Sequence, residues 1–173
     1  MNYSYFNLKS TEQLIEGVIL RKLTLHKDPT GTLVETLRED WKDVLTSEMP
    51  FKMQYISQTP PSVARDENKW HVHRYQKDRF ICVSGRIVTA VFDPREGSVT
   101  KSKLNLFTMG PENEDEMYMV IIPEETYHGF VVISKTPAML ANFPTKLYNP
   151  HDEGRVNHDN ELNWNKVRED FGN

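Results

Sequence analysis

The sequence predicts an all-β barrel or sandwich, and three observations carry that expectation. From Trp70 onward, "KWHVHRY", "RFICVSG", "RIVTAVFD", "LNLFTM", "MYMVIIP", "HGFVVIS" and "AMLANF" follow one another, each short and rich in β-branched and aromatic residues. Gly, Pro, Asp or Asn separates them, the residues that favour turns. Upstream, "GVILRKLTL" and "FKMQYISQT" alternate in the two-residue period of a strand.

Taken in order, "STEQLIE" (residues 10–16) reads as a short helix. Ser10 is placed to cap it, Gln13 stands three residues later, and Gly17 stops it. "GVILRKLTL" is then a strand and "KDPTG" a turn. "TLVETL" is a second strand that runs into a helical piece near "REDWKDVL". "FKMQYISQT" is the next strand, ended by "TPPS", and the run from Trp70 follows. "GPENEDEMY" reads as a solvated acidic loop, and "LNWNKVREDFG" as a helix or an irregular arm. There are no repeats and no low-complexity linker.

The 173 residues fit one domain, 1–173, with 1–40 as an N-terminal strand and arm region and 150–173 as a C-terminal arm. Such a length buries a core without disulfide or metal staples. Hydrophobic residues make up 38%, charged residues 27%, and the net charge is −4 with both signs mixed. No broad basic field exists, which argues against nucleic acid as a partner. The lone cysteine, Cys82, and the absence of a signal-peptide pattern in "MNYSYFNLKSTEQ" suit a cytoplasmic protein. No apolar run approaches the ~18 residues of a membrane helix.

The candidate chemistry begins at "KWHVHRYQKDRF". In a strand, His71, His73 and Tyr75 share a face, while Val72 and Arg74 point away. Two converging imidazoles either grip a metal ion or line a polar pocket. Cys82 sits in an apolar strand, where burial is the default. Trp70 reads as core, and His26, His151 and His158 as solvated. Asp78 has the plain alternative of pairing with Arg79 or Arg74.

The spacing His71-x-His73, then Asp78, then Gly85, resembles the first cupin motif with Asp in place of Glu. "PEETYH" resembles the second through Pro123 and His128, with Glu125 where the motif has Gly. The fold implied is a cupin-type jelly-roll barrel or sandwich with short peripheral helices. His71, His73, Asp78 and His128 then stand where metal cupins place their ligands. Such a set suits Fe, Mn, Ni or Zn, and a divalent metal in a dioxygenase-type enzyme is the alternative reading.

Three longer segments point to one cupin family. "GVILRKLTLHKDPTGTLVETLREDW", "IPEETYHGFVVIS" and "LYNPHDEGRVNHDNELNWN" resemble the opening, the central segment and the tail of the dTDP-4-dehydrorhamnose 3,5-epimerases. The resemblance implies a cofactor-free homodimer that exchanges an N-terminal strand and binds a nucleotide-linked 4-keto-6-deoxyhexose. It implies a His base held by an Asp, with an enolate intermediate reprotonated by a Tyr. His71 takes the place of the base and Asp159 that of its partner. His73, Glu35, Gln54, Lys69 and His128 are the implied substrate contacts. Asn142 stands where the Tyr is expected, Asn68 where an Arg is, and Thr30 and Leu33 replace a phosphate Arg and a base-stacking Phe. "HVHRYQKDRFICVSG" also resembles the related 3,4-ketoisomerases, in which paired histidines shuttle protons between neighbouring carbons. A sugar-binding relative without catalysis is the remaining reading.

Overall fold

The computed structural model describes residues 3–159 and 161–171. The first strands are β1 (Tyr5–Phe6), β2 (Ile19–Lys22), β3 (Leu25–Asp28), β4 (Gly31–Val34) and β5 (Tyr55–Thr59). The central run is β6 (Lys69–His73), β7 (Asp78–Ser84), β8 (Ile87–Phe92), β9 (Leu104–Met109), β10 (Tyr118–Ile122), β11 (Tyr127–Val132) and β12 (Ala138–Asn142). Strand β13 (Glu153–Asn157) and helix α1 (Trp164–Phe171) close the order. Gly172, at the end of the last expected segment, lies outside the described residues.

Six strands form one sheet in the order β1-β9-β8-β11-β6-β13, and five form a second in the order β2-β10-β7-β12-β5. The sheets face each other across a core of Phe80, Cys82, Ile87, Val91, Phe107, Tyr118, Val120 and Phe130. The alternate residues of the same strands are buried too. Val88 and Ala90 point outward from β8 onto Trp164 and Val167 of α1. Ile81, Met119 and Ile121 point outward onto Val44 and Phe143. Double burial is why the central strands read as near-continuous apolar runs rather than clean alternation. Gly85 turns β7 into β8 at φ 71°, and a Cβ there would meet the Ala138 Cα at 2.8 Å. Only glycine fits both constraints.

Four expectations are corrected. Residues 10–16 form no helix: Ile15 is 1% exposed, and its N–H is donated to Asn105 Oδ1 at 2.8 Å. "GVILRKLTL" is two strands, broken after Lys22 as β3 leaves for a hairpin with β4. "REDWKDVL" forms turns instead of a helix. The buried Arg79 guanidinium donates to the carbonyls of Val44 (2.8 Å), Phe143 (2.7 Å) and Met49, fixing that segment from outside. The acidic loop holds a one-turn 3-10 helix, Glu114–Glu116, whose buried Glu116 accepts two hydrogen bonds from Arg86. Of the last segment's two readings, the helix is the one formed.

Candidate active site

At one end of the barrel the two sheets part to leave a cavity of about 510 Å³, lined among others by His71, His73, Gln76, Asp78, His128 and Tyr55. Depressions of about 510 and 710 Å³ lie elsewhere, but neither gathers more than one histidine.

Strand geometry brings the imidazoles together. On β6, His71 and His73 face inward and Trp70 faces the outer layer, 0% exposed. His128 of β11 pairs directly with His71, and Arg155 of β13 pairs with it on the other side. The turn ahead of β11 makes this register. Glu125 adopts φ 60°, the left-handed conformation that glycine takes at least cost, and donates its N–H to the His73 carbonyl at 2.7 Å. The turn therefore keeps the shape that the Gly of the motif would give it, with a side chain in place.

Asp78 anchors the cluster. Its Oδ1 accepts from Gln76 Nε2 at 2.8 Å and Asn142 Nδ2 at 2.9 Å. Its Oδ2 lies 3.3 Å from His128 Nε2 and 3.8 Å from His73 Nε2. Burial works to raise the Asp78 pKa, yet the His128 hydrogen bond, the two histidines and Asn142 outweigh it, and the carboxyl is held below its ordinary range. It stays ionised at neutral pH.

Two of the imidazoles, those of His71 and His73, are held neutral. Burial above all, then the neighbouring His128 and His73, pushes the His71 pKa well down. Burial also lowers His73, against the opposing pull of Asp78. His71 Nε2 and His73 Nε2 are 2.8 Å apart, one ring donating to the other. Gln76 must donate to Asp78, so its amide nitrogen also faces His73 Nε2, at 3.1 Å. That makes His73 Nε2 an acceptor and puts its proton on Nδ1, 3.5 Å from Asp152 Oδ2. The Nδ1 atoms of His73 and His128 are buried with no hydrogen-bond partner among the described residues.

The remaining expected residues divide. Asp159 is exposed and its backbone N–H is donated to Glu161 Oε2. Arg155 is the residue opposite His71, and Asp159 lies four positions further along, past the end of β13 at Asn157 and outside the cavity lining. It does not orient His71. The tail instead brings Asp152 and Glu153 to the histidines, with Glu153 Oε1 4.0 Å from His71 Nδ1. Glu35 is exposed and paired with Arg38 outside the cavity. Gln54 and Lys69 are exposed and do not line it either. Asp78 pairs with neither Arg79 nor Arg74. His158 is half-buried against Trp70 (ring centroids 4.6 Å apart) rather than solvated. Cys82 is buried, and burial pushes its thiol to about 12, which makes it inert.

The four residues of the metal alternative do meet, but as a hydrogen-bonded cluster. His71 and His73 spend their facing nitrogens on each other, and Asp78 is taken up by Gln76, Asn142 and His128. Among the described residues no group of three His, Cys, Asp or Glu has metal-ligand geometry. This arrangement does not fit an ion.

Sequence reasoning missed Tyr55, Gln76, Asp152, Glu153 and Arg65 as cavity or cluster residues. The alternation of Met53, Tyr55 and Ser57 in "FKMQYISQT" was the available signal, since all three line the cavity.

A cupin-like barrel with two neutral imidazoles, His71 and His73, and an ionised carboxylate in its mouth is suited to moving protons on a bound small molecule. Residues 12–169 match the model of the dTDP-4-dehydrorhamnose 3,5-epimerase family. The chain belongs to that family and is a carbohydrate epimerase. It is 38% identical over 148 residues (84% of this chain, 89% of the relative) to the probable low-salt glycan biosynthesis epimerase Agl13 of Haloferax volcanii. It is 32% identical over 157 residues (88% and 97%) to the spore coat polysaccharide biosynthesis protein SpsL of Bacillus subtilis. Among solved structures it is similar to a dTDP sugar isomerase of Desulfovibrio desulfuricans G20, with a TM-score of 0.77 and 25% identity over 89% of this chain and 96% of that one. The family match favours the epimerase expectation over the metal-dependent one.

Proposed function

We propose that this epimerase acts on a nucleotide-linked 4-keto-6-deoxyhexose, inverting a carbon beside the ketone with His71 as the base. The observation that supports it is the cluster itself: three imidazoles and the ionised Asp78 converge in a cavity of about 510 Å³. A proton beside a ketone is removed at moderate cost because the resulting charge spreads onto the carbonyl oxygen. His71, neutral before the reaction, keeps a lone pair on Nδ1. The imidazolium it becomes lies 4.0 Å from Glu153 and is favoured by the nearby Asp78. Glu153, the tail carboxylate nearest His71, stands in the place expected of Asp159 and acts on the protonated ring by its charge. Arg65 lines the same cavity and offers positive charge to a nucleotide diphosphate, whereas Arg155 is already paired with Asp66 and Glu153. The chemistry is metal-independent in this reading. The enzyme works as one domain, in the cytoplasm, as a homodimer.

The 2.8 Å contact between His71 and His73 favours one second reading. A proton held between two rings can be returned to a neighbouring carbon, which is ketoisomerase chemistry. One experiment addresses both. The protein is incubated with dTDP-4-keto-6-deoxyglucose in deuterated water and the sugar is followed by NMR. Deuterium at C3 or C5 with inversion is the expected result, and H71N lowers the rate by about 10²-fold or more, the usual worth of a general base. A 3-keto product selects the isomerase reading. No deuterium and no 3-keto product refutes both.

A further inference from the structure

Inversion through a planar enolate needs a proton donor on the face opposite the base. Asn142 leaves no phenol on β12 to supply it. We infer that Tyr55 of β5 is this donor, held in place by Asn142. The assignment rests on the epimerase reading above.

Three features of the geometry converge on Tyr55. First, His71 belongs to the six-stranded sheet and Tyr55 to the five-stranded one, and both line the same cavity. A sugar ring lying between the sheets meets the base on one face and the phenol on the other. Second, Tyr55 is the direct cross-strand partner of Asn142, and Asn142 Nδ2 donates to Tyr55 Oη at 2.8 Å. The orientation of that amide is fixed. Asn142 Oδ1 accepts the buried N–H of Arg79 at 3.0 Å, so the nitrogen must face Asp78 and Tyr55. Because the phenol oxygen accepts here, its own hydrogen is left to point at a ligand. Third, burial and then the nearby Asp78 raise the Tyr55 pKa, which keeps the group protonated at neutral pH, as an acid must be. The other aromatic alcohols are placed worse. Tyr75 does not line the cavity. Tyr127 packs on Phe92 in the outer layer. Tyr148 lines the mouth but is 69% exposed against 42% for Tyr55, and no hydrogen bond among the described residues holds its hydroxyl as Asn142 holds that of Tyr55.

The step balances. His71 takes the proton from carbon, and the C–H pair becomes the enolate C=C as the carbonyl pair moves to oxygen. The enolate then takes the Tyr55 proton: the O–H bond breaks, its pair stays on the phenolate, a C–H bond forms on the far face and C=O returns. The Asn142 N–H stabilises the phenolate. The imidazolium gives one proton to water and the phenolate recovers one.

The test compares wild type, Y55F and Y148F on dTDP-4-keto-6-deoxyglucose in deuterated water, scoring exchange and inverted product separately. Y55F removes one oxygen at an open mouth, where water can serve Asn142, so folding should survive, and thermal unfolding checks that. Wild type should give exchange and inversion. Y55F should keep exchange with retained configuration, because His71 still removes and returns a proton, while inversion falls about 10²-fold. Y148F should behave as wild type. Normal inversion by Y55F overturns the assignment while wild-type exchange leaves the epimerase reading standing. Loss of inversion in Y148F but not Y55F moves the donor to Tyr148. Loss of exchange and inversion together in a folded Y55F overturns it in favour of a binding role. No exchange by wild type removes both the assignment and the reading beneath it.

Discussion

Asp78 and Asp93 are both buried carboxylates, 3% and 0% exposed, and they are buried in opposite ways. Asp93 sits just past β8 and is saturated. Its Oδ1 accepts from the Arg95 backbone N–H (3.1 Å) and Nε (2.8 Å), and its Oδ2 from Arg95 Nη2 (2.9 Å), Ser98 (2.5 Å) and Thr100 (2.6 Å). All five donors come from the loop Asp93 itself begins, so the carboxylate serves to close that loop onto β9. Asp78 accepts from residues far apart in sequence and is flanked by imidazoles with unspent nitrogens at a cavity wall. A saturated buried charge is part of the architecture. An unsaturated cluster around a buried charge is a place where a ligand completes the bonding.

The same substitution should separate the two. D93N keeps the size but aims an N–H at the Arg95 guanidinium and two hydroxyls. Removing one partner of a buried ion pair costs about 3 kcal/mol or more. D93N should lose that much stability in urea unfolding while its folded fraction keeps wild-type activity. D78N leaves an oxygen for Gln76 and Asn142, and His128 can change tautomer to meet the new N–H. It should cost only about 1 kcal/mol, yet lower exchange at least tenfold through the loss of the charge that favours a protonated imidazole. Equal stability losses, or an active D78N, would erase the distinction.

The contrast sharpens with pH. His71 and His73 bind protons less readily folded than unfolded. Below about pH 6.5, the ordinary histidine value, the unfolded chain therefore takes up protons that the folded one refuses. Stability must fall as pH drops from there toward the depressed folded values, by at most about 1.4 kcal/mol per unit for each ring. The folded pKa of Asp93 is also depressed: burial works to raise it, and the Arg95, Ser98 and Thr100 hydrogen bonds outweigh that. Its contribution is present above the ordinary carboxylate value and is lost only in stronger acid. Urea midpoints should thus begin to fall between pH 6.5 and 5 in wild type and fall less steeply there in H71N/H73Q, which keeps only the slope due to His158, whose pKa burial also lowers. A flat wild-type curve would mean that the rings are not held neutral.

Much of this was legible in the sequence, for identifiable reasons. The strands from β6 to β12 were readable because each is dense in β-branched and aromatic residues and closed by turn formers. His71, His73, Asp78 and His128 were readable because strand period and motif spacing place them together. The failures share a cause: a distant group overrides a local signal. The capping pattern at Ser10 and Gln13 is outweighed when Asn105 takes the Ile15 N–H and the core takes its side chain. The "REDWKDVL" segment is shaped by Arg79, 34 to 41 positions away in sequence. Tyr55 escaped notice because nothing near it in sequence marks it. Its role depends on Asn142 across the sheet, which from the sequence shows only as a missing Tyr.

The smallest effect concerns the two tail carboxylates. The family resemblance points to Asp159, while the fold puts Glu153 beside His71. Asp159 is exposed, and its structural bond uses its backbone N–H rather than its carboxylate. D159N should leave stability within about 0.5 kcal/mol, as expected of a surface position, and exchange unchanged within about twofold. Glu153 also pairs with Arg155 at 2.7 Å, so part of its charge is already spent and its pull on a protonated His71 is partial. E153Q should slow exchange about tenfold, equivalent to about 1.4 kcal/mol at the barrier, with the acidic limb of kcat/KM shifted to lower pH because the imidazolium is less favoured. A purely structural role for Glu153 would lower stability without moving that limb. If D159N instead matched H71N in lost exchange, a rearrangement of the tail on substrate binding would have to carry Asp159 past Arg155, and the order of the two carboxylates would be reversed.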